Sequence, residues 1–341
     1  MEVIDLVYYL GIIIIALAID YIFGEPPRKI HPTRWIGTII YWIDKRIPRG
    51  RPRIEKFSGI LLAIFVISIF LLFTIIALSL VKFFLGKIAW MLLSAYLFKS
   101  AFALNDMKKH IHPITKEIIN KNLNGARQQV SRIVGRDVSK LGEPHILSAA
   151  VESIAESIPD GFFSPLLFFA FLGAPGAIFY RTINTLDSMV GYTTEKHKNV
   201  GWFSAGLDEL ANWVSARISI PFIALASKLL GADWRNCLKM AKRDHKKTKS
   251  SNSGWPMAAM AGALNVQLEK IGYHKLGEEY PFPGLKETSK SLKIMETSCI
   301  LFLLVVSPIA IFFGLFVQEI VEKFLINFLV NGLGWVLTCL V

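Results

Sequence analysis

The sequence predicts an all-α fold, a polytopic bundle of helices embedded in a lipid bilayer as one domain over residues 1–341. Three observations predict it. Hydrophobic residues make up 53% of the chain, and they gather into uncharged blocks of 25, 22 and 18 residues at 57–81, 297–318 and 324–341. About 20 apolar residues carry a helix across the hydrocarbon core, where a backbone without water must bond to itself; a core helix of a soluble protein needs about 10–14. The charge, formally +12, lies between these blocks instead of on them, so it points to lipid head groups and not to a nucleic-acid partner.

The first element is a span at 3–23. Glu2 and Asp5 stand where a leader peptide carries basic residues, and no small-x-small site follows, so it reads as an uncleaved helix. The segment 24–56 holds nine Lys/Arg against three acids. The positive-inside rule places that segment in the cytoplasm and the N-terminus outside. Spans 57–81 and 88–105 follow, the second interrupted by Lys99. Residues 106–161 are polar, helix-patterned and expected in the cytoplasm.

Two weaker candidates come next. The stretch 162–180 is uncharged but broken by Pro165, Gly173, Pro175 and Gly176, and 218–230 is short. If both crossed fully, 181–217 would lie outside, away from the other polar segments. Irregular backbone at membrane depth is tolerated where it is covered by protein or lines water. The expectation is therefore two broken or re-entrant elements lining a polar cavity on the cytoplasmic side. A basic cytoplasmic segment, 231–296, precedes the closing spans 297–318 and 324–341; it contains Lys242, Arg243, Lys246, Lys247 and Lys249. Within it, the small residues of 257–264 suit close helix packing. Cys237, Cys299 and Cys339 have no metal-ligand or pairing spacing.

Four groups of residues could carry chemistry. Asp20, Gly24-Glu25-Pro26-Pro27 and His31-Pro32 lie at the end of the first span, bringing two carboxylates and an imidazole to the membrane surface. They read either as a solvated helix terminus or as a site, since an acid inside a span is costly to keep. Glu152, Glu156 and Asp160, four apart, fall about 40° from one another on a helix. Such a stripe is a solvated face or a seat for Mg²⁺, which takes one or two carboxylates and completes its shell with substrate phosphates.

The third group, Arg181, Asn184, Asp187, Tyr192, Asp208, Asn212 and Arg217, mixes arginines with carboxylates and amides between apolar stretches. That composition suits phosphate and polar-ligand recognition, or helix-to-helix pairing. Arg136, in Val134-Gly135-Arg136-Asp137, reads equally as anion-binding or solvated, and Asn252 opens a turn at Asn252-Ser-Gly-Trp-Pro. No phosphate-binding Gly-rich loop, dinucleotide fingerprint or serine-hydrolase elbow occurs in the sequence.

The order and wording of these groups closely resemble the adenosylcobinamide-phosphate synthase family, the CobD/CbiB membrane proteins of cobalamin biosynthesis. The resemblance runs from about residue 16 to 265. It rests on Asp20-x-x-x-Gly24-Glu25-Pro26 with His31-Pro32, on Val134-Gly-Arg-Asp137, and on Glu152-Ser-x-Ala-Glu156 with Asp160-Gly161. It rests most on Asn184-Thr-Leu-Asp-Ser-Met-Val-Gly-Tyr192, with Asp208, Ala211-Asn212-Trp213 and Ala216-Arg217 after it. The family usually carries Asn, Arg, Asp and Pro where this chain has Ser157, Gly206, Glu209 and Ser215, so no role is carried over to those four.

The resemblance implies an ATP- and Mg²⁺-dependent ligase that joins adenosylcobyric acid to (R)-1-aminopropan-2-ol O-phosphate through an amide. Glu152, Glu156, Asp160 and Asp187 would then hold metal. Arg136, Arg181 and Arg217 would hold phosphates, and Asn184 and Asn212 corrinoid amides. Tyr192, Asp208 and Asn252 would line the substrates. His31, with Glu25 and Asp20, would take the amine's proton. Other late cobalamin-pathway enzymes, or further copies of the chain, are the expected protein partners. A Mg²⁺-dependent transferase of lipid or isoprenoid phosphates should show a second acidic signature, and a transporter or sensor an internal repeat; the sequence has neither.

Overall fold

The computed structural model describes residues 3–191, 194 and 196–339, with side chains from Leu6 to Ala310 and for Phe312 and Phe313, apart from 192, 193 and 195. The predicted span at 324–341 and Tyr192 lie outside the described side chains. The chain is helical almost throughout: α1 (Val3–Ile22), α2 (Pro32–Asp44), α3 (Pro52–Ala101), α4 (Leu104–Ile119), α5 (Leu123–Val130) and α6 (Glu143–Ile158) come first. A π-helical turn (Pro159–Phe163) joins α6 to α7 (Ser164–Val190). Then come α8 (Trp202–Ala211), α9 (Trp213–Leu229), α10 (Trp234–Asp244), α11 (Gly254–Leu264), a hairpin of β1 (Leu268–Lys270) and β2 (His274–Leu276), and α12 (Leu285–Cys339).

Three of the described helical stretches are long and apolar enough to cross a membrane, or up to four if the bent pair α8–α9 is one span. Large side chains such as Phe57, Phe65, Phe73 and Leu80 stand exposed along α3. In water that surface would be unfavourable by about 25 cal/mol per Å²; facing lipid it is at home.

Two glycines shape these stretches. Gly86 (φ +84°, ψ 178°) divides α3, and Lys82 lays its ammonium over the Trp90 ring across the break. Gly173 (φ +65°, ψ −159°), followed by Pro175, divides α7. That backbone region is open essentially to glycine alone. The second break reverses the chain. The Tyr180 hydroxyl donates to the Asp160 carbonyl at 3.0 Å and its ring stacks on Phe168. Twenty residues of unbroken helix are about 30 Å long, so Ser164–Val190 is two limbs folded against each other. The Pro/Gly-broken character read from 162–180 is therefore present, and the 218–230 stretch likewise continues a helix pair bent by 40° at Asn212.

Aromatic packing holds the centre. Phe163 stacks on Phe302 of α12 at 3.7 Å, and Phe222 meets both edge-on. On the other side Phe98 stacks on Phe169 at 4.0 Å. A smaller core joins Ile36 and Ile40 of α2 to Leu62, Val66 and Phe70 of α3 and to Leu186 and Val190 of α7. α11 is buried along nearly its whole length, as its small residues predict.

The basic segment between α9 and α12 is an ion-paired structure. Arg243 and Lys247 converge on fully buried Asp244, whose other oxygen accepts the Gly277 N–H at 2.9 Å, and they reach on to Glu279 and Glu278. Burial alone would raise the Asp244 carboxyl, but these hydrogen bonds outweigh it and hold it down at about 2.

Candidate functional site

Asp20, Glu25 and His31 do come together, around a fourth residue. Lys99 of α3 is fully buried and pairs with Asp20 at 3.1 Å and Glu25 at 3.0 Å. Glu25 in turn meets His31 Nε2 at 2.7 Å. His31 caps α2, its Nδ1 accepting the Thr33 N–H at 3.3 Å, which leaves the ring proton on Nε2, facing Glu25. Burial works to raise Glu25, but His31 and Lys99 overcome it and keep its carboxyl below the ordinary value. The signal for Lys99 was present in the sequence: a lone lysine in an apolar run must find a carboxylate.

Arg181 of α7 extends from this group. Its Nε donates to the Thr33 hydroxyl at 3.2 Å and its Nη1 to Asn184 Oδ1 at 3.3 Å. Asn184 then donates to Asp208 Oδ1 at 3.3 Å, while Asn212 donates to Asp208 Oδ2 at 3.0 Å. Asn212 is buried, and its amide oxygen accepts from Ser164 at 2.6 Å and Tyr180 at 2.8 Å. The nitrogen of that amide holds Asp208 and its oxygen is taken by Ser164 and Tyr180. Asp187 lies within electrostatic reach of Asp208, and Asp160 within reach of Asp208, Asp187 and Glu156. Carboxylates from the π-helical turn, α7 and α8 therefore converge. A π-helical turn inside a helix is often found at a functional site.

The predicted stripe splits between two environments. Asp160 belongs to the acidic group just described. Glu152 is instead paired with Arg136 at 3.1 Å, accepts from Ser148 at 3.1 Å, and stands 3.7 Å from His274 of β2. A proposed metal ligand and a proposed phosphate-binding arginine are thus bonded to each other. Among the described residues no three His, Cys, Asp or Glu side chains form a group able to hold a metal ion by themselves.

Arg217 and Asn252 form a third group. Arg217 donates to Asn252 Oδ1 at 3.1 Å and lies over the Trp213 and Trp255 rings, while Asn252 donates to the Glu209 carbonyl at 2.7 Å. Sequence reasoning passed over Ser164, Tyr180, Lys270 and His274, which no spacing rule picks out, since only the fold brings them to the carboxylates. Ser215 hydrogen-bonds Ser164 at 2.5 Å, and a side chain at Gly206 would meet open space.

These features define a helical membrane protein whose broken helices carry carboxylates, amides and arginines into the bundle. The chain belongs to the CobD/Cbib protein family, whose model matches residues 13–301. It is 38% identical over 306 residues to "Probable cobalamin biosynthesis protein CobD" of Thermoplasma volcanium, covering 89% of this chain and 99% of that one. It is 38% identical over 268 residues to "Cobalamin biosynthesis protein CobD" of Dehalococcoides mccartyi (79% and 86%), and 35% over 296 residues to a probable CobD of Methanothermobacter thermautotrophicus (86% and 95%). No solved structure matches the chain.

Proposed function

We propose that this chain is an enzyme of cobalamin biosynthesis, the ligase that joins adenosylcobyric acid to (R)-1-aminopropan-2-ol O-phosphate at the expense of ATP. The observation that carries the reading is the convergence of Asp160, Asp187 and Asp208 from three elements, with Arg181 beside them. A carboxylate must be activated before an amine attacks it, most simply as an acyl phosphate, and that calls for phosphate-binding groups next to carboxylates.

The donor set suits Mg²⁺. It offers hard carboxylate oxygens, and Mg²⁺ binds one or two carboxylates and keeps positions for substrate phosphates. Asp160 and Asp187 would hold it, and when bound it would neutralise charge on the transferring phosphoryl group. Asn184 and Asn212 fix the Asp208 carboxylate from both sides, so it is oriented before substrate arrives. Arg181 ties this group to the first turn of α2. To accept the amine's proton His31 would have to release the Thr33 N–H; until then it and Glu25 hold the loop after α1 in place. The arms of α3, α7 and α8–α9 would line the polar cavity, on the cytoplasmic side of a cell membrane.

Mass spectrometry of the detergent-purified chain incubated with both substrates, ATP and Mg²⁺ tests the reading. The expected product is heavier than adenosylcobyric acid by one aminopropanol phosphate less water, and it appears only with ATP. Asp208→Asn should lower turnover at least a hundredfold, on the order of an electrostatic catalytic group, with the fold intact. Folded wild-type protein that makes no such product overturns the reading.

A further inference from the structure

The outer face of α2 carries a pattern that neither the core nor the candidate site uses. Ile36 and Ile40 are buried on one side of this helix. At about 100° per residue, Arg34, Thr38 and Lys45 form a row on the other side, with Trp35, Trp42 and Arg46 in a second row beside it; all six are exposed. The rings are held in place. The Trp35 indole donates to the Lys29 carbonyl at 3.0 Å, and the Arg46 guanidinium lies 5.2 Å over Trp42 while donating to its carbonyl at 2.7 Å. The three acids of segment 24–56 are engaged elsewhere: Glu25 meets Lys99 and His31, Asp44 meets Arg49, and Glu55 accepts from Gly50 and Asn199. Arg34 and Lys45 are thereby left without a carboxylate partner among the described residues.

Both ends of α2 are tied to membrane depth. α1 and the residue after it end in exposed Tyr21, Ile22 and Phe23, and the exposed apolar face of α3 begins at Ile54 and Phe57. Those surfaces belong in lipid, so the helix between them runs along the boundary. Exposed indoles are out of place in water and guanidinium groups in hydrocarbon; the head-group layer takes both. We infer that this face of α2 is a docking surface for anionic phospholipid, with Arg34 and Lys45 on head-group phosphates and Trp35 and Trp42 at the top of the acyl chains. A zwitterionic head group would bring its own cation against the row, whereas an anionic one completes its charge. A second copy of the chain, packed face to face, would set the same cations against each other. The bound lipid would bear on the candidate site from behind, because His31 caps this helix and Thr33, the partner of Arg181, stands in its first turn. None of this rests on the ligase reading.

Native mass spectrometry of the full chain, purified in a non-ionic detergent and titrated with phosphatidylglycerol or phosphatidylcholine, is the test. Wild type should retain phosphatidylglycerol about tenfold more tightly than phosphatidylcholine. The triple variant Arg34→Gln, Lys45→Gln, Arg46→Gln should lose that preference and keep its weak binding of phosphatidylcholine. The pair Trp35→Ala, Trp42→Ala should weaken both lipids alike. Removing the same charge from the exposed face of α10, with Lys239→Gln, Lys242→Gln and Lys246→Gln, should leave the preference in place. Melting temperatures in detergent equal to wild type confirm that the variants fold, and Arg34→Gln or Lys45→Gln alone repeats the comparison if the triple variant does not. Equal retention of the two lipids by wild type overturns the inference, as does a preference that survives the α2 variants or falls as far in the α10 variant. Displacement of the lipid by inorganic phosphate would make the face a free-anion site, and a dimer lost in the triple variant would give it to a second copy; either result also overturns it.

Discussion

Lys99 shows how one residue can set a neighbourhood. It is fully buried between Asp20 and Glu25, and taking away one partner of a buried ion pair costs about 3–5 kcal/mol because the remaining charges are stranded. Lys99→Met should therefore lower the unfolding midpoint in detergent sharply, and Lys99→Arg much less; a Met variant that melts with wild type would show the pairing carries no weight. Asp244 gives a pH test outside the spans. Its folded carboxyl, at about 2, lies below the ordinary 3.8, so its contribution is complete above about pH 4 and is lost as pH falls toward 2. Asp244→Asn should flatten the loss of stability in that window, measured by melting at stepped pH. Residue by residue, the sequence was most legible where chemistry is local: Asp20, Glu25 and His31 could be grouped because they fall within twelve residues of chain. Asp208 with Asn184 and Asn212 could be suspected, but that both amides serve the carboxylate needed the fold, since Asn184 is 24 positions away from it.

At the scale of elements, helix content and apolar runs could be read directly because lipid tolerates few alternatives. The reversal at Gly173 was legible only as a weakness, a cluster of Pro and Gly that says where a helix fails and not which way the chain then goes. The structure supplies the direction through Tyr180 and Asp160. Gly173→Ala, at φ +65° and ψ −159°, should cost about 1–3 kcal/mol and should also reduce activity, because Asp160 and Asp187 stand on opposite limbs of the hairpin. A thermal midpoint and a turnover assay on the same preparation check both parts. The β-hairpin was invisible in a segment read as a basic loop, for its strands are three residues each, too short for an alternating pattern to register.

Across the whole molecule, the sequence left open on which side 181–217 lies. Arg181 reaches Thr33, the Lys196 carbonyl accepts from Arg49 and Asn199 donates to Glu55, so Arg181, Lys196 and Asn199 all touch the basic segment 24–56. Single cysteines at Lys196 and Arg46, both exposed, should react with a membrane-impermeant reagent from the same face, and labelling from opposite faces would contradict the packing. The stack of Phe163 on Phe302 has a bearing on how the molecule is made. A ribosome delivers Phe163 more than a hundred residues before Phe302, so the hairpin that carries Asp160 must wait inside or beside the membrane without its aromatic lid. Biogenesis therefore has an order: Asp160, Asp187, Asp208 and the amides that hold Asp208 are all made before α12, and the last helix adds an aromatic cover to carboxylates already in place.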